Sequence, residues 1–245
     1  MTLVQSRRRE AARIAAAPGP VLVVTGMRRE AACVMGEGVA PLCSGANVAQ
    51  LREQLERLKE RRFSAVVSFG LAGALDYALR PGDIVIADTV VAGEARHATH
   101  GRFSDALAEG AAARGCKVVP GAIVGVDKPA MDPAAKTFLR ESAQAHAVDM
   151  ESHLAAGFAR ELGLPFAVLR AISDPAARAL PPLAAKALTP KGDIDGRIVA
   201  RELIRAPHQI GGLILAGLDS RAAFVSLSRC GPLLGPLFRL VLADL

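Results

Sequence analysis

The sequence has no tryptophan and a single tyrosine, Tyr77, and aromatic residues make up 4% of its 245 positions. A surface that stacks successive bases of a nucleic-acid strand needs several rings, so the shortage argues against a nucleic-acid partner. Cysteine is sparse too. Cys33, Cys43, Cys116 and Cys230 are widely spaced and form no C-x-x-C pair, which fits a reduced, cytoplasmic compartment better than a disulfide framework. No stretch reaches the roughly 18 apolar residues that a membrane-spanning helix needs. The opening SRRREAARIAAAPGP has the basic flank of an export signal, but its apolar stretch is brief, carries Arg13 and runs into Pro18 and Pro20. It does not read as a signal peptide.

What is present is ordinary globular material: 51% hydrophobic and 22% charged residues. The chain is long enough for one large α/β domain or two small ones. Its net charge of +6 comes from scattered arginines. A basic surplus of this size favours phosphate, nucleotides or anionic lipid when it is concentrated, and is otherwise solvated surface.

From Pro20 onward, short apolar runs alternate with helix-like stretches. Strands are expected at residues 21–24, 65–69, 84–91, 118–124, 147–150 and 166–172, with a small-residue turn at Gly70-Leu71-Ala72-Gly73. Helices are expected at 28–34, 46–61, 103–114, 133–143 and 152–162; in the second, Val48, Leu51, Leu55 and Leu58 share one face. Alternation of this kind, with several continuous apolar strands, predicts a twisted sheet, largely parallel or mixed, covered by helices on both faces. No internal repeat or linker divides the chain. We expect one α/β domain, its core at about 20–190, with a helical C-terminal extension at about 191–245. Residues 173–190, rich in Ala, Leu and Pro, read as a loop or broken helix. Short helices at 194–205, 207–218 and 221–229, packed on the sheet edge, and the apolar tail PLLGPLFRLVLADL complete the chain.

Three segments carry polar chemistry at expected strand ends: Thr25-Gly26-Met27-Arg28-Arg29-Glu30, Val148-Asp149-Met150-Glu151-Ser152, and Arg170-Ala171-Ile172-Ser173-Asp174. Ligands of open α/β sheets sit beyond the carboxyl ends of the strands, so Glu30, Glu151 and Asp174 fall where chemistry is expected. The plain alternative is that each acid caps the start of a helix.

AVDMESHLAAGFARELGLPFAVLRAISD resembles the long signature of the purine nucleoside phosphorylase and methylthioadenosine/adenosylhomocysteine nucleosidase superfamily: an acid-Met-Glu turn, a helix, an apolar strand, then Arg-x-Ile-Ser-Asp. VSFGLAGALDYALRPGDIVIAD is similar to the Gly-rich turn and strand entry of the same family, and the likeness runs in order from about Val21 to Asp174. The resemblance implies cleavage of the bond between a purine base and a ribose, with no cofactor or metal, by a homo-oligomer such as a dimer. It implies that Asp174, supported by Ser173, donates a proton to purine N7. Glu151 accepts hydrogen bonds from the ribose hydroxyls, Met150 packs on the sugar, and the Ala72-Gly73 backbone lies against the nucleoside. Glu30, with Arg170 nearby, holds the attacking water.

The nucleophile is where the sequence departs from the phosphorylases. They place an Arg just before the Gly-rich turn to bind phosphate, whereas this chain reads Val67-Ser68-Phe69-Gly70. That absence, and the charge of Glu30, favour water. Arg28 and Arg29 stand beside Glu30, so a phosphate-dependent enzyme giving ribose 1-phosphate stays open, as does a non-catalytic nucleoside-binding protein on the same fold. Leu71 also replaces the small polar residue of the nucleosidase turn.

KGDIDGRIVARELIRAPHQIGGLILAG resembles the hopanoid-associated phosphorylase branch. That likeness implies an adenine nucleoside carrying a lipid on its 5′ carbon, adenosylhopane, with release of adenine and a ribosyl-hopane in hopanoid biosynthesis. It also implies peripheral contact with the inner membrane face, and apolar side chains of residues 210–245 lining or flanking the pocket. Of the histidines, His97 and His100 have a possible metal spacing but no further ligands nearby, and read as surface residues. His146 and His153 flank the acidic turn, where one of them can reach the pocket. Asp127-Lys128-Pro129 lies in the segment that edges the base in the family.

Overall fold

The structure, a computed structural model, describes residues 19–181, 189, 192–193, 195–205 and 210–235. The basic leader, residues 182–188 and 190 of the Ala/Leu/Pro-rich stretch and the end of the apolar tail lie outside these residues.

Eight strands form one mixed sheet: β1 (Val21–Thr25), β2 (Val39–Cys43), β3 (Ala65–Ala74), β4 (Ile84–Ala92), β5 (Ala95–Ala98), β6 (Val118–Gly125), β7 (Ala147–Asp149) and β8 (Phe166–Asp174). β3 pairs parallel with β1 and β8 and antiparallel with β7. β4 pairs parallel with β6 and antiparallel with β8, and β6 pairs parallel with β7. Strands β3, β8, β4, β6 and β7 therefore close a ring, from which β1 and β2 extend on one side and β5 on the other. All five residues of β1 and eight of the nine in β8 are buried, because helices cover both sides of the sheet.

The helices are α1 (Arg28–Cys33), α2 (Val48–Leu58), α3 (Gly101–Ala112), α4 (Pro133–Ala143), α5 (Ser152–Glu161), α6 (Gly196–Arg205) and α7 (Ile210–Cys230). Local chemistry sets their starts. The Asn47 side chain accepts from the Gln50 N–H at the head of α2. Asp132 accepts from Ala135 at the head of α4, where Pro133 fills a first-turn position that lacks a hydrogen-bond partner in any case.

Three features differ from the sequence expectation. Residues 70–73 are not a turn: they continue β3, which stays paired with β8 through a register shift between Ala72 and Gly73. Small residues there mark close approach of other groups rather than a change of direction. Strands β2 and β5 escape the pattern because both are short, half-exposed outer strands, and β2 contains Pro41. Finally, residues 210–230 form one helix, not two. Asp219 does not interrupt it, since its carboxylate takes an ion pair from Arg178.

Helix α7 also lies on a face of the sheet and not on its edge. Ala223, Phe224, Leu227 and Cys230 pack with Val67 and Phe69 of β3, Leu169 of β8 and Phe103 of α3. With the 3₁₀ turn that follows, Ile210–Leu234 is long and apolar enough by composition to cross a membrane. This corrects the reading that no such segment exists. Its C-terminal half is nevertheless core of this domain, while Ile214, Leu215 and Leu218 in the N-terminal half are exposed.

Candidate active site

The carboxyl ends of β1, β3, β7 and β8 converge on one cavity of about 180 Å³. Glu30, Asp149, Glu151 and Asp174 line it, together with Met27, Ala72, Gly73, Met150 and Ser173, and with Val126, Pro129, Ala130 and Leu180 as apolar wall. All four acids are buried. The fold makes room for three of them with glycine. A Cβ built on Gly26 would stand 2.8 Å from Glu151 Oε1, one on Gly70 2.7 Å from Glu30 Cδ, and one on Gly73 3.1 Å from Asp174 Oδ2.

Each acid has a different environment. Glu30 receives three backbone N–H donors: Gly26 (2.7 Å) and Met27 (2.8 Å) to Oε2, and Leu71 (2.9 Å) to Oε1. The Met27 bond is a capping interaction for α1, so the plain alternative is half true of Glu30. The Leu71 bond reaches across to β3 and has no part in capping. Burial lifts the Glu30 carboxyl above its ordinary range, against the opposing charge of Arg170 and the three N–H bonds.

Asp149 is the actual helix cap at the acidic turn. The Ser152 N–H donates to its Oδ1 at 3.1 Å, and the Ser152 hydroxyl donates to its Oδ2. That leaves Glu151 free of any capping bond. Glu151 accepts instead from Ser44 Oγ (3.3 Å) and from Arg170 Nη1 (3.3 Å).

Arg170 is wholly buried behind this group. Its Nε stands 2.7 Å from Asp149 Oδ2, Nη1 also donates to the Leu71 carbonyl (3.2 Å), and Nη2 donates to Ser68 Oγ (2.5 Å). It does not line the cavity, so its expected place beside an attacking water is corrected. The guanidinium ties two of the acids and β3 together from behind. Ser44, Ser68, Asp149 and Ser152 are the members of this cluster that the sequence reading left without a role.

Asp174 is held by two donors: Ser173 Oγ to Oδ1 (2.7 Å) and Lys136 Nζ to Oδ2 (2.5 Å). The described residues that follow directly, 175–181, are turn and coil, so Asp174 starts no helix there. Lys136 was not foreseen. A signal was available, since Lys136 stands on the same stripe of α4 as Leu139 and Ala143, which pack inward.

Other expected candidates lie elsewhere. Arg28 pairs with Asp193 on the surface, and Arg29 stacks 4.0 Å over the Phe224 ring. His153 contacts Asp127 (3.0 Å), and neither it, His146, His97 nor His100 lines the cavity. Of the Asp127-Lys128-Pro129 segment, only Pro129 reaches it. No residue of 210–235 lines the cavity. Helix α7 instead flanks its rim: Asp219 pairs with Arg178, and Gly212 lies against Pro181, next to the lining residue Leu180.

The model of the phosphorylase superfamily matches residues 15–189. The chain belongs to the phosphorylase superfamily. Solved structures with the same fold include a methylthioadenosine/S-adenosylhomocysteine nucleosidase from Neisseria meningitidis in complex with methylthio-immucillin-A. It is 19% identical, with a TM-score of 0.65 over 88% of this chain and 97% of that one. The corresponding nucleosidase of Helicobacter pylori and the futalosine hydrolase of the same organism are each 16% identical, with TM-scores of 0.63 over 93% of this chain and 98% of theirs. No curated protein matches the sequence. In this superfamily member the four acids stand where the strand ends of the shared fold meet.

The electrostatics give a first prediction. Burial, with Asp149 and Glu30 adding to it and Arg170 opposing, pushes the Glu151 carboxyl up to about 7. The folded state then keeps a proton that the unfolded chain has lost between pH about 4.5 and about 7, so stability falls as pH rises through that window. The full shift corresponds to something on the order of 3 kcal/mol. We expect the melting temperature to decline from pH 5 to pH 8, and Glu151→Gln to flatten that decline without abolishing it, because Glu30 is raised as well. Thermal melts across pH test this: an identical slope in wild type and Glu151→Gln contradicts the assignment.

Proposed function

We propose that the protein hydrolyses the N-glycosidic bond of an adenine nucleoside, with water as the nucleophile. One observation carries the choice of water: among the described residues, four carboxyl groups and no Arg, Lys or His side chain line the cavity. A phosphate dianion bound there would face acidic groups with no cation lining the cavity to hold it, whereas a sugar and a neutral water meet acceptors for their protons.

In this reading the base lies between the Ala72-Gly73 backbone and the apolar wall, with N7 toward Asp174. The ribose rests on Met150, and its hydroxyls donate to Glu151. As the C1′–N9 bond lengthens, negative charge builds on the base and positive charge on the sugar. Proton transfer from Asp174 to N7 relieves the first, and the carboxylates of Glu151 and Glu30 stabilise the second. A carboxylate has about four acceptor sites. Three backbone N–H groups occupy three of those on Glu30, which leaves one on Oε1 for the water. A carboxyl whose hold on a proton is strengthened by burial is a better base for that task than an exposed one. Arg170 is a positioning residue that fixes Glu151 and balances part of the charge. Incubation with adenosine, with and without phosphate, tests the reading: free adenine and ribose are expected in both, and base release that requires phosphate overturns it.

We further propose that the preferred substrate carries a lipid on its 5′ carbon, as in adenosylhopane. The exposed Ile214, Leu215 and Leu218 on the rim-flanking half of α7 support this, and the +6 net charge suits an anionic bilayer surface nearby. Each methylene removed from water contributes about 0.8 kcal/mol. We expect a much higher kcat/KM for adenosyl-lipid than for methylthioadenosine, and Ile214→Gln with Leu218→Gln to narrow the gap while adenosine cleavage persists. Equal efficiency on the two substrates in the wild type removes the lipid from the proposal.

A further inference from the structure

The interaction that the chemistry above leaves unused is the one behind Asp174. Lys136 is 1% exposed. Its Nζ donates to three acceptors: Asp174 Oδ2 at 2.5 Å, the Pro175 carbonyl at 2.9 Å and the Arg178 carbonyl at 3.0 Å. Three donors and three acceptors match the inventory of an ammonium group. A buried lysine is costly unless it is paired and fully bonded, and this one is placed with its charge against a side chain that faces the cavity. Burying a cation at the carboxyl end of β8, where an apolar side chain would pack without that cost, calls for a purpose other than stability.

We propose that Lys136 is the positioning residue of the proton donor: it fixes the Asp174 carboxyl and stabilises the carboxylate formed when the proton leaves. The inference rests on the hydrolytic reading of the site. In the step itself the Asp174 O–H bond breaks and the N7–H bond forms, while the electron pair of C1′–N9 passes to the purine. Lys136 keeps its three protons. The water that adds hydroxide to C1′ gives up one proton, through Glu30 and solvent, and that proton reloads Asp174, so the cycle is balanced. The new negative charge appears in a buried place beside a fixed ammonium, an arrangement that needs no reorganisation at the moment of transfer. The same ammonium also anchors the chain after β8, since it holds the Pro175 and Arg178 carbonyls, and Leu180 of that segment lines the cavity.

The test is a double-mutant cycle read in kcat and KM for adenosine. Lys136→Met is expected to lower kcat roughly 10- to 100-fold, a fraction of what a general acid contributes, with KM changed less than about 3-fold. In the Asp174→Asn background the same substitution should change kcat less than about 2-fold, because Lys136 acts on the proton-transfer step through Asp174 and its hold on the carbonyls of residues 175 and 178 bears on binding instead. Should Lys136→Met fail to fold, Lys136→Gln keeps two donors without the charge and runs the same cycle. Effects that multiply across the two positions, or a kcat unchanged by Lys136→Gln, overturn the proposal. A wild-type protein that releases no base from any purine nucleoside overturns the hydrolytic reading, and this inference with it.

Discussion

Asp174→Asn lowers the rate of adenine release by at least about 10²-fold while leaving the fold intact, the size of effect expected when a placed general acid is removed. The structure explains why the fold should survive. The amide oxygen of Asn can still accept from Lys136, which also keeps its two carbonyl partners. The Ser173 hydroxyl, now a donor to Asp174 Oδ1, can turn and accept from the amide nitrogen. What the variant lacks is an acidic proton for N7. Substrate affinity should change little, since the apolar wall and Glu151 are untouched. The measurement is steady-state release of adenine together with a thermal melt. A rate close to wild type removes Asp174 from the chemistry. A collapsed melting temperature instead shows that the substitution disturbed more than the proton.

Glu30→Gln should abolish hydrolysis, with a loss comparable to or larger than that at Asp174. Two effects act in the same direction. The amide cannot take a proton from water, and its NH₂ group cannot accept the backbone bonds that a carboxylate accepts. Glu30 receives N–H donors on both oxygens, so one end of the amide must face a donor with a donor, at a cost of about 1–3 kcal/mol. If phosphate were the nucleophile, the substitution would remove a repelling charge, and activity would persist or rise with added phosphate. Product analysis decides between the two: ribose 1-phosphate formed by Glu30→Gln, and dependent on phosphate, overturns the hydrolytic reading.

Glu151 shows how stability and function trade against one another in the same cluster. Its carboxyl is driven up to about 7 by burial and by the neighbouring acids. A substitution that relieves this strain at pH 8 also removes the acceptor proposed for the ribose hydroxyls. Sites that hold several like charges are expected to be costly in the absence of ligand, and the donors of a bound sugar would offset part of that cost.

Much of this arrangement is determined by the sequence alone. Continuous apolar runs such as those of β1 and β8 can be buried only in a sheet covered on both faces, and helical spacing in 46–61 and 133–143 places the covering elements. The ends of those strands carry Glu30, Glu151 and Asp174 for a local reason, since the residues that follow a buried strand are the first that can face a ligand. The capping alternative is equally local, and the sequence does not separate it from chemistry. Only the tertiary structure does so, by giving the cap to Asp149 and leaving Glu151 without one. The structure likewise decides that Gly70, Leu71, Ala72 and Gly73 continue a strand. Their small size reads locally as a turn, whereas its cause is the approach of Glu30 and Asp174 from distant positions. The separations of 38 positions from Lys136 to Asp174 and 102 from Ser68 to Arg170 hide those contacts for the same reason: local spacing reports which face a residue occupies, and closure of the sheet chooses what that face meets.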